Sequence, residues 1–192
     1  YEIQGSKGVS YNPAQKGNII FRITFPIAPA EYTVNESQST VSLSEDLTTA
    51  TIEKTYSSSG YDGQMYRNWI KYLKENKDEK ELVEAIKTKT FGDKFNLKIT
   101  TYSFENQEFK YNYINTPYVV KVKAEAEESL IENAGNLVLV NLGKIIGSHI
   151  NLYQETERKW DVDLGCAKTF RHKIIFDIPN GYEVERFKDL II

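Results

Sequence analysis

Thiol catalysis needs a cysteine and a histidine within hydrogen-bond reach, and usually a third group to orient the imidazole. This chain offers one cysteine, Cys166, and two histidines, His149 and His172. Cys166 and His172 read as parts of one extended segment. At about 3.3 Å of rise per residue they stand roughly 20 Å apart, unless a turn intervenes at Ala167 or Lys168. His149 approaches Cys166 only through the tertiary fold. The expectation is therefore a partly buried, inert cysteine. His172, in phase with Phe170, Ile174 and Phe176, reads as a half-buried strand histidine, and His149 as an exposed residue of the loop Gly147-Ser148-His149.

Other chemistries find equally little. Two histidines and one cysteine do not close a zinc site without carboxylates. Asp161 and Asp163 share a strand face that suits a Ca²⁺ contact, yet no Asp/Asn-rich calcium loop accompanies them. Gly60-x-x-Gly63 is too short to cradle a phosphate and lacks the following Lys-Ser/Thr. Among 27 acidic residues, no pair stands out as the two carboxylates of a hydrolase. Asn35-Glu36-Ser37 matches the N-glycosylation pattern. The chain is thus read as not an enzyme, with no catalytic, cofactor or metal site of its own. One stretch is chemically distinctive: Tyr102, Phe104, Phe109, Tyr111 and Tyr113 form an aromatic-rich candidate surface for a glycan or peptide, because aromatic faces stack on sugar rings or anchor a partner.

Composition narrows the partners. The 192 residues are 40% hydrophobic and 27% charged, with a formal net charge of -3. That is a globular composition, long enough to build a core without staples. A nucleic-acid binder would carry a basic surplus or stripe. Here both signs mix, as in Lys71 to Glu81, which reads as a solvated helical face and its turn. No apolar run approaches the roughly 18 residues of a membrane span, so membrane insertion is not expected. A single cysteine forms no internal disulfide. Tyr1 and Leu190-Ile191-Ile192 look like the ends of an excised piece.

The elements that must position any site follow from periodicity. Residues 1–17 are polar and read as a tail. Ile19, Phe21, Ile23 and Phe25 alternate as a strand with one face in the core. Val41 and Leu43 mark a short second strand, and Ala50, Ile52 and Tyr56 a third. Met65, Tyr66, Trp69, Ile70 and Leu73 then fall at helical spacing, after the breakers Gly60 and Gly63 and a possible N-cap at Asp62. Asp78-x-x-Glu81 resembles a capping box that opens a second helix, with Gly92 as its stop. Strand periodicity resumes at Phe95, Leu97 and Ile99. It recurs at Tyr118, Val120, Val122 and Ala124, at Trp160, Val162 and Leu164, at Phe170 to Phe176, and from Tyr182. A polar, aromatic loop spans Glu105 to Pro117. Leu137 to Val140, after the turn Asn133 to Asn136, reads as a strand buried on both faces.

Strands and helices do not alternate regularly, which disfavours a parallel βαβ sheet. The expectation is a mostly β (α+β) chain. It would be an antiparallel β-sandwich-like domain with an inserted helical hairpin at about residues 62–91. The reading is one domain over 1–192, with a weak boundary near 127–135.

Three segments carry a family resemblance: Ser59-Gly60-Tyr61-Asp62-Gly63-Gln64-Met65-Tyr66-Arg67, Arg158-Lys159-Trp160-Asp161-Val162-Asp163-Leu164, and Ile178-Pro179-Asn180-Gly181-Tyr182-Glu183-Val184-Glu185. Their order resembles the β-rich domain of unknown function that follows the transglutaminase-like domain in bacterial exported proteins. The resemblance implies a periplasmic or extracellular accessory domain whose partner is the upstream transglutaminase-like domain of the same polypeptide. It implies no catalytic residue here, because the family's Cys, His and Asp belong to that upstream domain. The alternative function is a glycan- or peptide-binding module.

Overall fold

The structure is a computed structural model that describes residues 4–11, 20–92, 95–108, 115–127, 130–135, 137–147, 155–159, 162 and 164–185. Its centre is a five-stranded sheet. In chain order the strands are β3 (Val34–Leu43), β4 (Ala50–Ser58), β5 (Lys98–Glu105), β6 (Tyr118–Ala126) and β9 (Thr169–Asp177). Their spatial order is β5-β6-β4-β3-β9, antiparallel throughout except for the parallel pair β3 and β9. Two ribbons stand apart from the sheet: β1 (Lys7–Tyr11) with β2 (Ile20–Thr24), and β7 (Ile131–Ala134) with β8 (Leu137–Val140).

Alternation decides which face is buried. On β4, Ala50, Ile52, Lys54, Tyr56 and Ser58 point inward; on β6, Tyr118, Val120, Val122 and Ala124 do so. Helices α1 (Gly60–Asn76) and α2 (Glu79–Phe91) cover this face and add Ile70, Leu73, Leu82, Ile86 and Phe91 to the core. Leu130, Ile131 and Ile145, the last in the short helix α3 (Gly143–Ile146), are buried in the same core. The opposite face is open and charged, with Lys123–Glu53 at 2.9 Å and Lys121–Glu105 at 2.5 Å. The mostly-β α+β class and the helical hairpin stand as expected. The layer on the sheet differs: α1 and α2 occupy the inner face where a sandwich would place a second sheet, and β9 adds a parallel pair.

The hairpin is set by local chemistry. The Asp78 carboxylate accepts from the Glu81 main-chain N–H at 2.8 Å, which makes Asp78 the α2 N-cap. Gly92 ends α2 at φ 87°. The first helix begins two residues before Asp62. Gly60 and Gly63 lie inside its first turn, where close packing demands them. A Cβ on Gly60, at φ 58°, would stand 2.1 Å from the Tyr32 carbonyl oxygen, and one on Gly63 would stand 2.4 Å from that of Ser58.

Other differences have identifiable causes. Strand β3 runs from Val34, well before Val41, because its inward residues Asn35, Ser37 and Ser39 are polar and give no apolar alternation. Lys7–Tyr11, within the supposed tail, pairs with β2. That ribbon leaves Val9 and Ile23 exposed instead of seating Ile23 in the core. Strand β8 has only β7 beside it among the described residues, so Leu139 is 53% exposed and the strand is not buried on both faces. Val162, Leu164 and Tyr182 lie outside any strand. Among the described residues, no helix is long and apolar enough to cross a membrane.

Candidate functional site

A buried polar network forms where the start of α1 crosses the inner face of β3 and β4. Asn35 is the hub. It is 2% exposed, and its Oδ1 accepts from Tyr56 Oη at 2.8 Å and from Ser58 Oγ at 2.7 Å. Its Nδ2 donates to Asp62 Oδ2 at 2.7 Å. The other Asp62 oxygen accepts from Lys168 Nζ at 2.9 Å, just before β9. Local sequence places these groups. Register sets Asn35 opposite Ser58, and Gly60 lets α1 begin directly after β4, so that Asp62 lies over both. The Asn35 side chain is thereby consumed by internal bonds, which leaves the glycosylation pattern at Asn35 without an accessible amide in the folded chain.

A second arm enters from α2. Lys89 Nζ donates to Tyr66 Oη and sits over the Tyr66 ring at 4.0 Å and the Tyr56 ring at 5.5 Å. Burial pushes the Lys89 amine down to about 8, partly countered by Asp62, with Lys168 adding to the depression. Burial likewise lifts Tyr66 to about 12 and raises Tyr56 further. A depressed lysine beside tyrosines is a combination that proton-transfer and carbonyl chemistry use. The cavity between Tyr56, Tyr66, Trp69, Lys89 and Tyr118 holds about 10 Å³, roughly room for one water.

Two more buried cations act on main-chain oxygens. Lys54, 2% exposed on β4, donates to the carbonyls of Thr90 at 2.5 Å, Ile145 at 2.6 Å and Ile146 at 3.3 Å. It thus gathers the C-terminal ends of α2 and α3, where the helix dipole favours a cation. Burial pushes its amine down to about 8. Arg67 donates through Nε to Asn106 O at 2.7 Å and through Nη2 to Thr116 O. It therefore pins both ends of the segment that joins β5 to β6. Asn106 Nδ2 adds a bond to Pro117 O at 2.8 Å.

The aromatic candidates fall in two groups. Tyr102 and Phe104 lie on β5, half-buried on the helix side. The Tyr102 hydroxyl donates to Glu79 at 2.5 Å. Phe104 stacks near Tyr118 with centroids 6.1 Å apart, and Lys74 sits 4.3 Å over its ring. Phe109, Tyr111 and Tyr113 lie outside the described residues, as do His149, Trp160, Asp161 and Asp163. Cys166 is half-buried in a bend before β9. His172 is on β9 but exposed rather than half-buried, and its Nδ1 is 2.8 Å from Ser37 Oγ.

Comparison with family models, curated proteins and solved structures returns no match. Sequence reasoning missed Lys54, Asp62 as a buried anchor, and Lys89. One signal was present for Lys54: it occupies an inward position in the alternation Ala50, Ile52, Lys54, Tyr56.

Proposed function

We propose that this chain is a non-catalytic interaction module that packs on an upstream transglutaminase-like domain of an exported protein. The observation that carries this reading is the distribution of exposed apolar side chains. Among the described residues, Val162, Leu164, Phe170, Ile175, Ile178, Tyr182 and Val184 lie on β9 or in the sequence flanking it, and the others, such as Val9, Ile27, Met65, Tyr72 and Leu139, are scattered elsewhere along the chain. A run of exposed apolar side chains in one stretch of chain supplies the raw material of an association surface. Two further points support it. The buried cations are spent on tying secondary elements together, and the cavity between Tyr56, Tyr66, Trp69, Lys89 and Tyr118 has roughly room for one water. The choice of a transglutaminase-like partner rests on the resemblance of the motif order from Ser59 to Glu185.

Hydrogen exchange tests the reading, on this chain alone and joined to the upstream transglutaminase-like domain of its own polypeptide. The expected result is slower exchange across residues 164–184 in the joined form and a higher melting temperature. Identical exchange in the two forms would overturn it.

A further inference from the structure

Helices α1 and α2 leave a groove between them, with a volume of about 620 Å³. That lies within the roughly 300–1,000 Å³ of small-molecule sites. Its floor is apolar: the half-buried Trp69, with Leu73 and Ala85. Its rim is charged but balanced. Lys77 pairs with Glu81 at 2.8 Å and Lys87 with Glu84 at 3.3 Å, while Lys89 is engaged by Tyr66. A ligand with net charge would meet a counter-charge already satisfied. A neutral ligand rich in hydroxyls would meet something different. Each ionised carboxylate keeps spare lone pairs after accepting one ammonium proton, and the Thr88 hydroxyl stands on the same rim.

From the aromatic floor and the internally neutralised rim, we infer that this groove binds a neutral saccharide. One sugar face lies on Trp69, and its hydroxyls donate to Glu81 and Glu84. Aromatic rings present such an apolar face, and the Glu81 and Glu84 carboxylates stand exposed on the rim to accept. The groove is lined by none of the apolar residues around β9, so it stands or falls independently of the interaction-module reading.

The experiment is a titration of the ¹⁵N-labelled chain with neutral trisaccharides: maltotriose, cellotriose, xylotriose and N,N′,N″-triacetylchitotriose. The Trp69 indole resonance is assigned from a Trp69→Phe variant. The expected result is a saturable shift of that resonance with at least one sugar, at a dissociation constant on the order of 1 mM. Thr88→Arg, on the exposed rim, weakens the binding by about tenfold or more, and Glu84→Gln weakens it about threefold, with unchanged folded spectra. No saturable shift with any sugar at roughly 10 mM overturns the inference. So does a shift that Thr88→Arg leaves intact, or a response confined to neutral peptides.

Discussion

Asn35 Nδ2 donates to Asp62 Oδ2 at 2.7 Å, across 27 residues of sequence, and thereby ties the β3 strand to the first turn of α1. The bond is buried, and its two partners each hold a second anchor: Tyr56 and Ser58 on the amide oxygen, Lys168 on the carboxylate. Removing the Asn35 side chain strands three polar groups at once. Asn35→Ala is expected to cost about 2–4 kcal/mol, since each unsatisfied buried group costs roughly 1–3 kcal/mol and some rearrange. Urea denaturation monitored by tryptophan fluorescence reads the loss. A change below about 0.5 kcal/mol would show that the network carries no stability.

Lys54 and Lys89 make stability depend on alkaline pH in an unusual direction. Both amines lie at about 8 in the folded chain, below the ordinary 10.5. Between these values the unfolded chain binds more protons, so stability rises as pH goes from about 8 towards 10.5 and is lost as pH falls through 8. The gain is up to about 3 kcal/mol for each amine. Melting temperatures across pH 7.5–10 check this as an order-of-magnitude expectation. The rise should shrink in Lys89→Met and shrink further when Lys54→Met is added. A flat profile in the parent chain would count against both burials.

Gly60 is tested by one methyl group. At φ 58°, with a Cβ placed 2.1 Å from the Tyr32 carbonyl oxygen, Gly60→Ala must displace backbone. The expected cost is at least about 2 kcal/mol, because left-handed strain and a backbone clash add. A control Ala substitution at Gly135, with nothing within 4 Å of its Cβ, meets only the strain of its positive φ and should cost about 1 kcal/mol. Thermal melts of the two variants rank them, and equal costs would refute the packing argument.

Arg67 holds both ends of the β5–β6 connection through two main-chain carbonyls. Arg67→Lys keeps a charge but loses the fork, and is expected to cost about 2 kcal/mol. Hydrogen exchange should accelerate locally at residues 105–108 and 115–118 before the rest of the sheet responds. Uniform acceleration across the whole chain would instead make Arg67 a general core residue.

Much of the architecture was legible along the chain. Alternation marked β6 and β9, because a half-buried strand must alternate, and Ala50, Ile52 and Tyr56 marked β4 even though Lys54 interrupts its apolar face. The α2 boundaries were legible at Asp78 and Gly92, because a cap and a positive-φ stop are chemical demands of the helix itself. The aromatic candidates were less decidable, since Tyr102 and Phe104 owe their half-burial to Glu79, Lys74 and Tyr118 on other elements.

What the amino-acid order determined by itself, then, was each element whose signal is local: period-two strands, a capped helical hairpin, a mixed-sign surface. Tertiary structure alone decided that the polar strand from Asn35 to Ser39 lies inside, that β9 runs parallel beside it, that Lys54 is buried, and that Leu139 is exposed. The physical reason is partner distance. Backbone period and capping act within a few residues. A buried polar group is tolerable only when its partner arrives, and Asp62 reaches its lysine across 106 residues.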